Sequence, residues 1–274
     1  MTHSVLIVTT STGELPDGRE TGFDWASLAV PYWRMREAGV RVGFASVAGG
    51  KPPGDAATAI DESGETLFAV DMFLSDERAV RGLERSAALA EIDPADWTAL
   101  LFAGGLGALW DVPASEETAR LIDAAWAHGA PLAAIGAGTA ALTVGRDGQD
   151  HAIVAGRRVT CLPDAAVHEA LDGEDAPTMP EARLRAQGAQ VWVAEPEEGS
   201  AVIDDGRLIT GRDGQAAAEV ALQLLEALDI YAPAAGRERE EGAPGAAEQA
   251  AGATPAEPGE GADPEDEPGT KAPR

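Results

Sequence analysis

The chain has 274 residues and a formal net charge of −27, so nucleic acid and anionic membranes are not expected partners: a body of this sign repels phosphate. A single cysteine, Cys161, excludes an internal disulfide framework and fits a reducing cytoplasm. The opening "MTHSVLIVTTSTG" has one short apolar run and no basic lead-in, so neither a signal peptide nor a spanning helix is expected there.

In chain order, "SVLIVTT" (4–10) is a compact β-branched run and reads as a buried strand. "WASLAVPYWRMREAG" (25–39) has helical spacing and closes on a glycine, with Pro31 expected to start or kink the helix. "VRVGFAS" reads as a second strand. Residues 47–66 are too long and too rich in Gly and Pro for an ordinary connection, which predicts a lid or rim. "DERAVRGLERSAAL" is predicted helical, "WTALLFAGG" a buried strand ending in glycines, "SEETARLIDAAWAHG" a capped helix and "PLAAI" another short strand. A glycine-rich turn, "GAGTAAL", then leads into an alanine-rich helix. "HAIVAGRRVTCL" predicts a hairpin about Ala155-Gly156, and "AVIDDGRLIT" a stronger one about Asp205-Gly206. "DGQAAAEVALQLLEAL" closes the domain as an amphipathic helix. From Ala235 the chain has no Val, Ile, Leu, Met, Cys or aromatic residue, so 235–274 is expected to be a disordered acidic tail, leaving 1–234 as one domain. That tail carries ten acids and four bases, which leaves the body at −21.

Alternating strands and helices predict an α/β fold: a three-layer α/β/α sandwich around a mainly parallel, flavodoxin-like sheet. Ligands of such sheets sit beyond the carboxyl ends of the strands. Three loops are therefore expected to converge: the one after Thr10, "GGLGALWD" (104–111) and "GAGT" (136–139).

"GAGTAA" matches a dinucleotide fingerprint, but it follows a later strand, and residue 156, where an acid would hold the ribose, is glycine. Alternatively the turn is a nucleophile elbow, where a sharp strand-to-helix turn projects a Ser or Cys and nearby amides form an oxyanion hole. The tip then lacks its reactive atom. Thr139 is expected to begin the helix and satisfy an amide there.

The blocks "ETGFDWASLAVPYWRMREAGVRVGFASVAGGKPP", "IDPADWTALLFAGGLGALWDVP", "PLAAIGAGTAAL", "VAGRRVTCL" and "DDGRLITG", in this order, resemble the ThiJ/PfpI family, more narrowly its chaperone-like and glyoxalase III-type branch within the class I glutamine amidotransferase-like superfamily. The resemblance covers about residues 4–230. It implies the α/β/α sandwich, a homodimer, and a catalytic Cys-His pair at the elbow in a stretch like AVCHGPAAL. Laid on this chain, that cysteine falls at Gly136 and the histidine at Ala137. The glutamate that bonds the thiol falls at Ser27, the histidine of the GGHG stretch at Leu106, and the acid that orients the catalytic histidine near Val167, beside His168 and Glu169. The frame persists at Thr21, Gly22, Pro31, Gly104, Gly105, Gly107, Trp110, Asp111 and Gly138.

Without a thiolate or a base at these positions the family's chemistry has no means to proceed. The expected function is that of a catalytically degenerate member, a pseudoenzyme that binds a small molecule in the vacated pocket or a protein partner. One alternative is a cysteine-independent hydrolase or lyase acting on small carbonyl substrates through His168, Glu169 or Asp111; another is a chaperone-like stress protein. Pocket candidates are Asp24, Ser27, Gly104, Gly105, Leu106, Gly107, Trp110, Asp111, Gly136, Ala137, Gly138, Thr139 and His168, with Glu20 on the same rim. Cys161 reads as a buried apolar residue. The four histidines are scattered, so no metal site is expected, and no cofactor.

Overall fold

The structure, a computed structural model, describes residues 3–193 and 201–230. The acidic tail expected over 235–274 lies outside the described residues. The first strand, β1 (Ser4–Thr9), is buried throughout, and α1 (Trp25–Glu37) returns the chain to β2 (Arg41–Ser46). Then come α2 (Phe68–Ser75), α3 (Glu77–Glu84) and β3 (Ala87–Ala88). The strand β4 (Ala99–Phe102) is followed by the single turn α4 (Ala108–Asp111), by α5 (Glu116–Ala127) and by β5 (Leu132–Ile135). Beyond the elbow lie β6 (Arg158–Val159), α6 (Asp164–Ala170), α7 (Pro180–Ala186), β7 (Gln190–Val191), β8 (Val202–Asp204), β9 (Leu208–Gly211) and α8 (Ala217–Ala227).

The seven-stranded sheet has the order β3-β2-β1-β4-β5-β9-β8, parallel except for the β8–β9 hairpin about Asp205-Gly206. This is the expected mainly parallel α/β sheet, and its two faces follow from the period of two. On β1, Val5 and Ile7 join Leu28 and Met35 of α1 and Val220 and Leu224 of α8 in one core. Leu6 and Val8 face the other way, against Leu121 and Ile122 of α5. A strand buried on both faces needs a continuous apolar run, which "VLIV" supplies. Among the described residues no helix is long and apolar enough to cross a membrane.

Four local expectations are corrected. The first hairpin does not form: Arg158–Val159 pairs in parallel with Gln190–Val191 as a separate two-stranded sheet. The adjacent residues Ile153 and Val154 are both buried in the same core, so the segment before the turn lacks the two-faced alternation of a strand. Of the two roles expected for Pro31, starting the helix is not the one it takes: it lies inside α1. The helix predicted over "DERAVRGLERSAAL" ends at Glu84, because Ser86 turns inward to bond the Ser46 hydroxyl and the Gly50 carbonyl, and Ala87–Ala88 become the edge strand. The stretch after the elbow is a 3₁₀ helix, Gly136–Thr143.

The long segment 47–66 behaves as a fixed rim. The Phe23 N–H donates to the Pro53 carbonyl at 2.9 Å, the Asp55 N–H to the Phe23 carbonyl at 2.9 Å, and the Gly50 N–H to the Ser86 carbonyl at 2.8 Å.

Candidate functional site

The parallel register of β1, β4 and β5 aligns their carboxyl ends, Val8 beside Phe102 and Phe102 beside Ala134. The three expected loops therefore meet at one edge of the sheet. At the tip, Gly136 has φ +57°, the left-handed conformation that a side chain strains, and this is the sharp reversal an elbow requires. A Cβ placed there would lie 3.6 Å from Asp213 Cα and 3.7 Å from the Arg212 carbonyl, ordinary contact distances. Space for a side chain thus persists although none is present. Gly138 is the opposite case: a Cβ would come within 2.5 Å of the Phe102 and Ala103 carbonyl oxygens, so the turn packs directly on the end of β4.

The Thr139 hydroxyl donates to the Gly136 carbonyl at 2.6 Å. It closes the turn through an acceptor, where sequence reasoning expected it to satisfy an amide. Gly136 through Thr143 are all buried.

Two kinds of packing surround this turn. On one side Ala137, Ala140, Leu109, Leu15, Val167 and Leu171 form an apolar cluster, with Leu106 and Trp110 packed against it. Leu106, Ala137 and Val167, the positions the resemblance assigns to two histidines and an acid, are thus brought together, but as one hydrophobic contact set. The space beside Ala137 is filled by these side chains.

On the other side polar groups tie loop to loop. Asp24 caps α1, its Oδ1 accepting from the Ser27 N–H at 2.8 Å. The Ser27 hydroxyl donates to the Asp24 carbonyl and accepts from the Gly104 N–H, both at 2.8 Å. With donor and acceptor both engaged and no base beside it, this hydroxyl is not an activated nucleophile. Burial pushes the Asp24 carboxyl above the usual carboxylate range; the Ser27 and Ala26 backbone amides pull it down, and the negative charges of Asp213 and Asp55 add to the rise.

Asp111 clasps the loop after β1. Its Oδ1 accepts from the Thr10 hydroxyl at 2.6 Å and its Oδ2 from the Ser11 N–H at 2.6 Å, while the Thr12 N–H donates to Thr10 Oγ1 at 2.9 Å. Burial raises this carboxyl too, against those bonds. Sequence reasoning anticipated a turn carboxylate but missed Thr10 and Ser11 as its partners, a pairing across a hundred residues that only the adjacency of β1 and β4 creates.

The remaining candidates do not join the site. His168 Nε2, on α6, lies 2.6 Å from Oδ1 of Asp175, in the loop after that helix, in an exposed pair, and Glu169 is exposed. Among the described residues no hydrogen bond links either to Asp111. Cys161 is buried, and burial pushes its thiol up, away from the thiolate a nucleophile needs. Among the described residues no group of three or more His, Cys, Asp and Glu is placed to hold a metal ion. Asp213, near both Asp24 and the elbow tip, was not anticipated; its "DG" step before α8 reads from sequence only as a turn.

The family model described as "DJ-1/PfpI family" matches residues 20–227. The glutathione-independent glyoxalase hsp3101 of Schizosaccharomyces pombe is 28% identical over 241 residues, covering 78% of this chain and 91% of that protein. Among solved structures, the Rapid Encystment Protein 24 kDa of Francisella tularensis superposes with a TM-score of 0.76 at 26% identity, covering 82% of this chain and 99% of that one. Glyoxalase III of Candida albicans shares the fold, with a TM-score of 0.71 at 18% identity over 82% of this chain and 97% of that one.

Proposed function

This chain belongs to the DJ-1/PfpI family, and within it we propose a member that has given up cysteine chemistry and serves as a binding protein for a small molecule or a protein partner. The observation that carries the reading is the elbow: its tip is Gly136-Ala137, and the positions expected to hold the supporting histidine and acid pack as Leu106 and Val167 around Ala137. A thiolate mechanism needs a nucleophile, a base within hydrogen-bond reach and a group to orient that base. None of the three has a counterpart in this cluster. The retained left-handed turn is a scaffold feature, since it seats Gly138 on β4.

Methylglyoxal consumption by the full chain tests the reading. The expected result is no turnover above that of buffer, unchanged in Cys161→Ser and His168→Ala. Turnover that either substitution abolishes overturns it and favours the alternative of relocated chemistry on small carbonyl substrates.

A homodimer is part of this proposal, and sedimentation of the full chain at two ionic strengths measures it. A chaperone-like role is favoured by one specific observation: Phe68 is 78% exposed and Leu74 52% exposed on the apolar helix α2. Suppression of client aggregation that Phe68→Ser and Leu74→Ser abolish together would support that role over small-molecule binding.

A further inference from the structure

The outer faces of α1 and α2 meet along a groove of about 220 Å³ walled by Val30, Trp33, Ala69 and Met72, with the exposed Arg34 and Glu37 beside it. Trp33, on α1, donates its indole N–H to the Ala69 carbonyl of α2 at 3.2 Å, so the two helices are tied together and the groove is preformed. At its side stands Phe68, 78% exposed and the most exposed large apolar side chain among the described residues. A knob and a hole thus lie next to each other on one face.

Charge and symmetry together identify the occupant. The body carries −21, so a second copy is repelled wherever acids dominate the surface. On α1 and α2 they do not: the two helices carry two bases, Arg34 and Arg36, and two acids, Glu37 and Asp71. A face with no net charge gives no advantage to a strongly cationic or anionic partner, and it lets a like-charged copy approach. A knob beside a hole is also self-complementary, because a two-fold axis passing between them puts each knob in the other copy's hole. A cavity of roughly 150 Å³ holds a benzene ring, so the groove has room for one phenyl side chain. The same axis reverses the order of charges along α1. Arg34 Nη1 and Glu37 Oε2 are 3.8 Å apart and both side chains are more than half exposed, so a reversed copy sets Arg34 against Glu37 in both directions.

We propose that α1 and α2 form a two-fold dimer face on which Phe68 of each copy enters the groove between Trp33 and Met72 of the other, with Arg34 set against Glu37. This rests on the proposed homodimer and gives it a surface. Two short helices make a small footprint, which places the dimer at the weak end of specific interfaces. Such a dimer covers Phe68, which a chaperone-like role needs free.

The test is sedimentation velocity of the full chain over the micromolar range, at low and at high salt. A monomer–dimer equilibrium is expected that tightens as salt screens the repulsion between the two bodies. Phe68→Ser, at an exposed position where it leaves the fold intact, is expected to weaken the dimer about 10-fold or more, the loss of a buried aromatic anchor. Leu74→Ser, on the flank of α2 that lines the cavity beside Phe73, is expected to leave it unchanged. Arg34→Glu and Glu37→Arg are each expected to weaken it about 3- to 10-fold, two pairs being lost per dimer, and the double reversal to recover most of that loss. A dimer that Phe68→Ser does not affect overturns this surface and leaves the homodimer standing; a monomer at every concentration overturns both. A double reversal no tighter than either single one, a Leu74→Ser loss as large as that of Phe68→Ser, or a dimer that loosens as salt rises also overturns the two-fold face.

Discussion

The elbow and the cavity between the rim loop and α2–α3, walled by Phe23, Trp25, Phe73 and Leu83, lie on the same domain and use their space in opposite ways. Around the elbow the hydroxyls of Thr139 and Ser27 each have partners and Asp111 has two donors, while Leu106 and Val167 join the apolar cluster that buries Ala137. Around Trp25 the walls are as apolar, yet a cavity of about 260 Å³ remains. The difference teaches that the position a fold reserves for chemistry and the place where a molecule can bind are set separately. The first is fixed by a backbone turn at a strand end, the second by whether side chains fill the space around it.

The largest expected effect tests how dry the elbow is. Val167→Asp puts a carboxylate among Leu15, Leu109, Ala137 and Leu171 with no partner, and should cost about 3–5 kcal/mol in urea unfolding. Leu74→Asp, on the exposed side of the cavity, should cost less than about 0.5 kcal/mol. Similar losses at both sites would erase the contrast between them.

Next come the two glycines of the turn. Gly138→Ala drives a methyl onto two backbone carbonyls and should cost about 2–4 kcal/mol. Gly136→Ala meets only ordinary contacts and should cost about 1–2 kcal/mol, the strain of a left-handed side-chain residue. The reverse order, read from thermal or urea unfolding, would mean that the tip is crowded and the pedestal loose.

A smaller effect separates the two buried carboxylates from the exposed ones. Asp24 and Asp111 have folded values raised above the unfolded ones, chiefly by burial. Their contribution is fully present below the unfolded value and is lost as pH rises through the folded one. Asp61, held down first by the Ser63 hydroxyl, and Asp147, held down first by the Gln149 amide, act in the opposite sense and lose their contribution as pH falls through their folded values. Asp111→Asn should therefore gain on the unsubstituted protein as pH rises through the raised value, whatever constant offset the lost Ser11 bond introduces. A stability difference that does not vary with pH would show that Asp111 is not desolvated.

The smallest effect is at the mouth of the cavity. Lys51→Ala should change stability by less than about 0.5 kcal/mol, because its partner Glu84 and the amine itself are both largely exposed. A larger loss would make the ion pair part of the cavity's framework.

The sequence was most legible where one physical rule decides the outcome. Unbroken apolar runs such as "VLIV" and "ALLF" could only be strands covered on both faces, and Asp205-Gly206 between β-rich arms could only be a tight hairpin. The Ala155-Gly156 turn misled because its flanks satisfy turn chemistry while their burial follows no strand period. At the site, the missing side chains at Gly136 and Ala137 were plain to read, but the closing of the space was not, since Leu15, Leu109 and Leu171 are unremarkable leucines until the loop after β1, α4 and the end of α6 bring them into one cluster with Ala137. The Trp25 cavity carried no signal at all, because its walls, Phe23, Phe73 and Leu83 among them, read in sequence as ordinary core residues.

By itself, then, the sequence determined the layering of the sheet, the place of the elbow and the absence of a nucleophile on it, because these rest on local periodicity and on residue identity. Only the tertiary structure decided that the space beside Ala137 is closed and that a cavity persists beside Trp25, because free volume belongs to residues far apart in the chain and exists only once packing has brought them together.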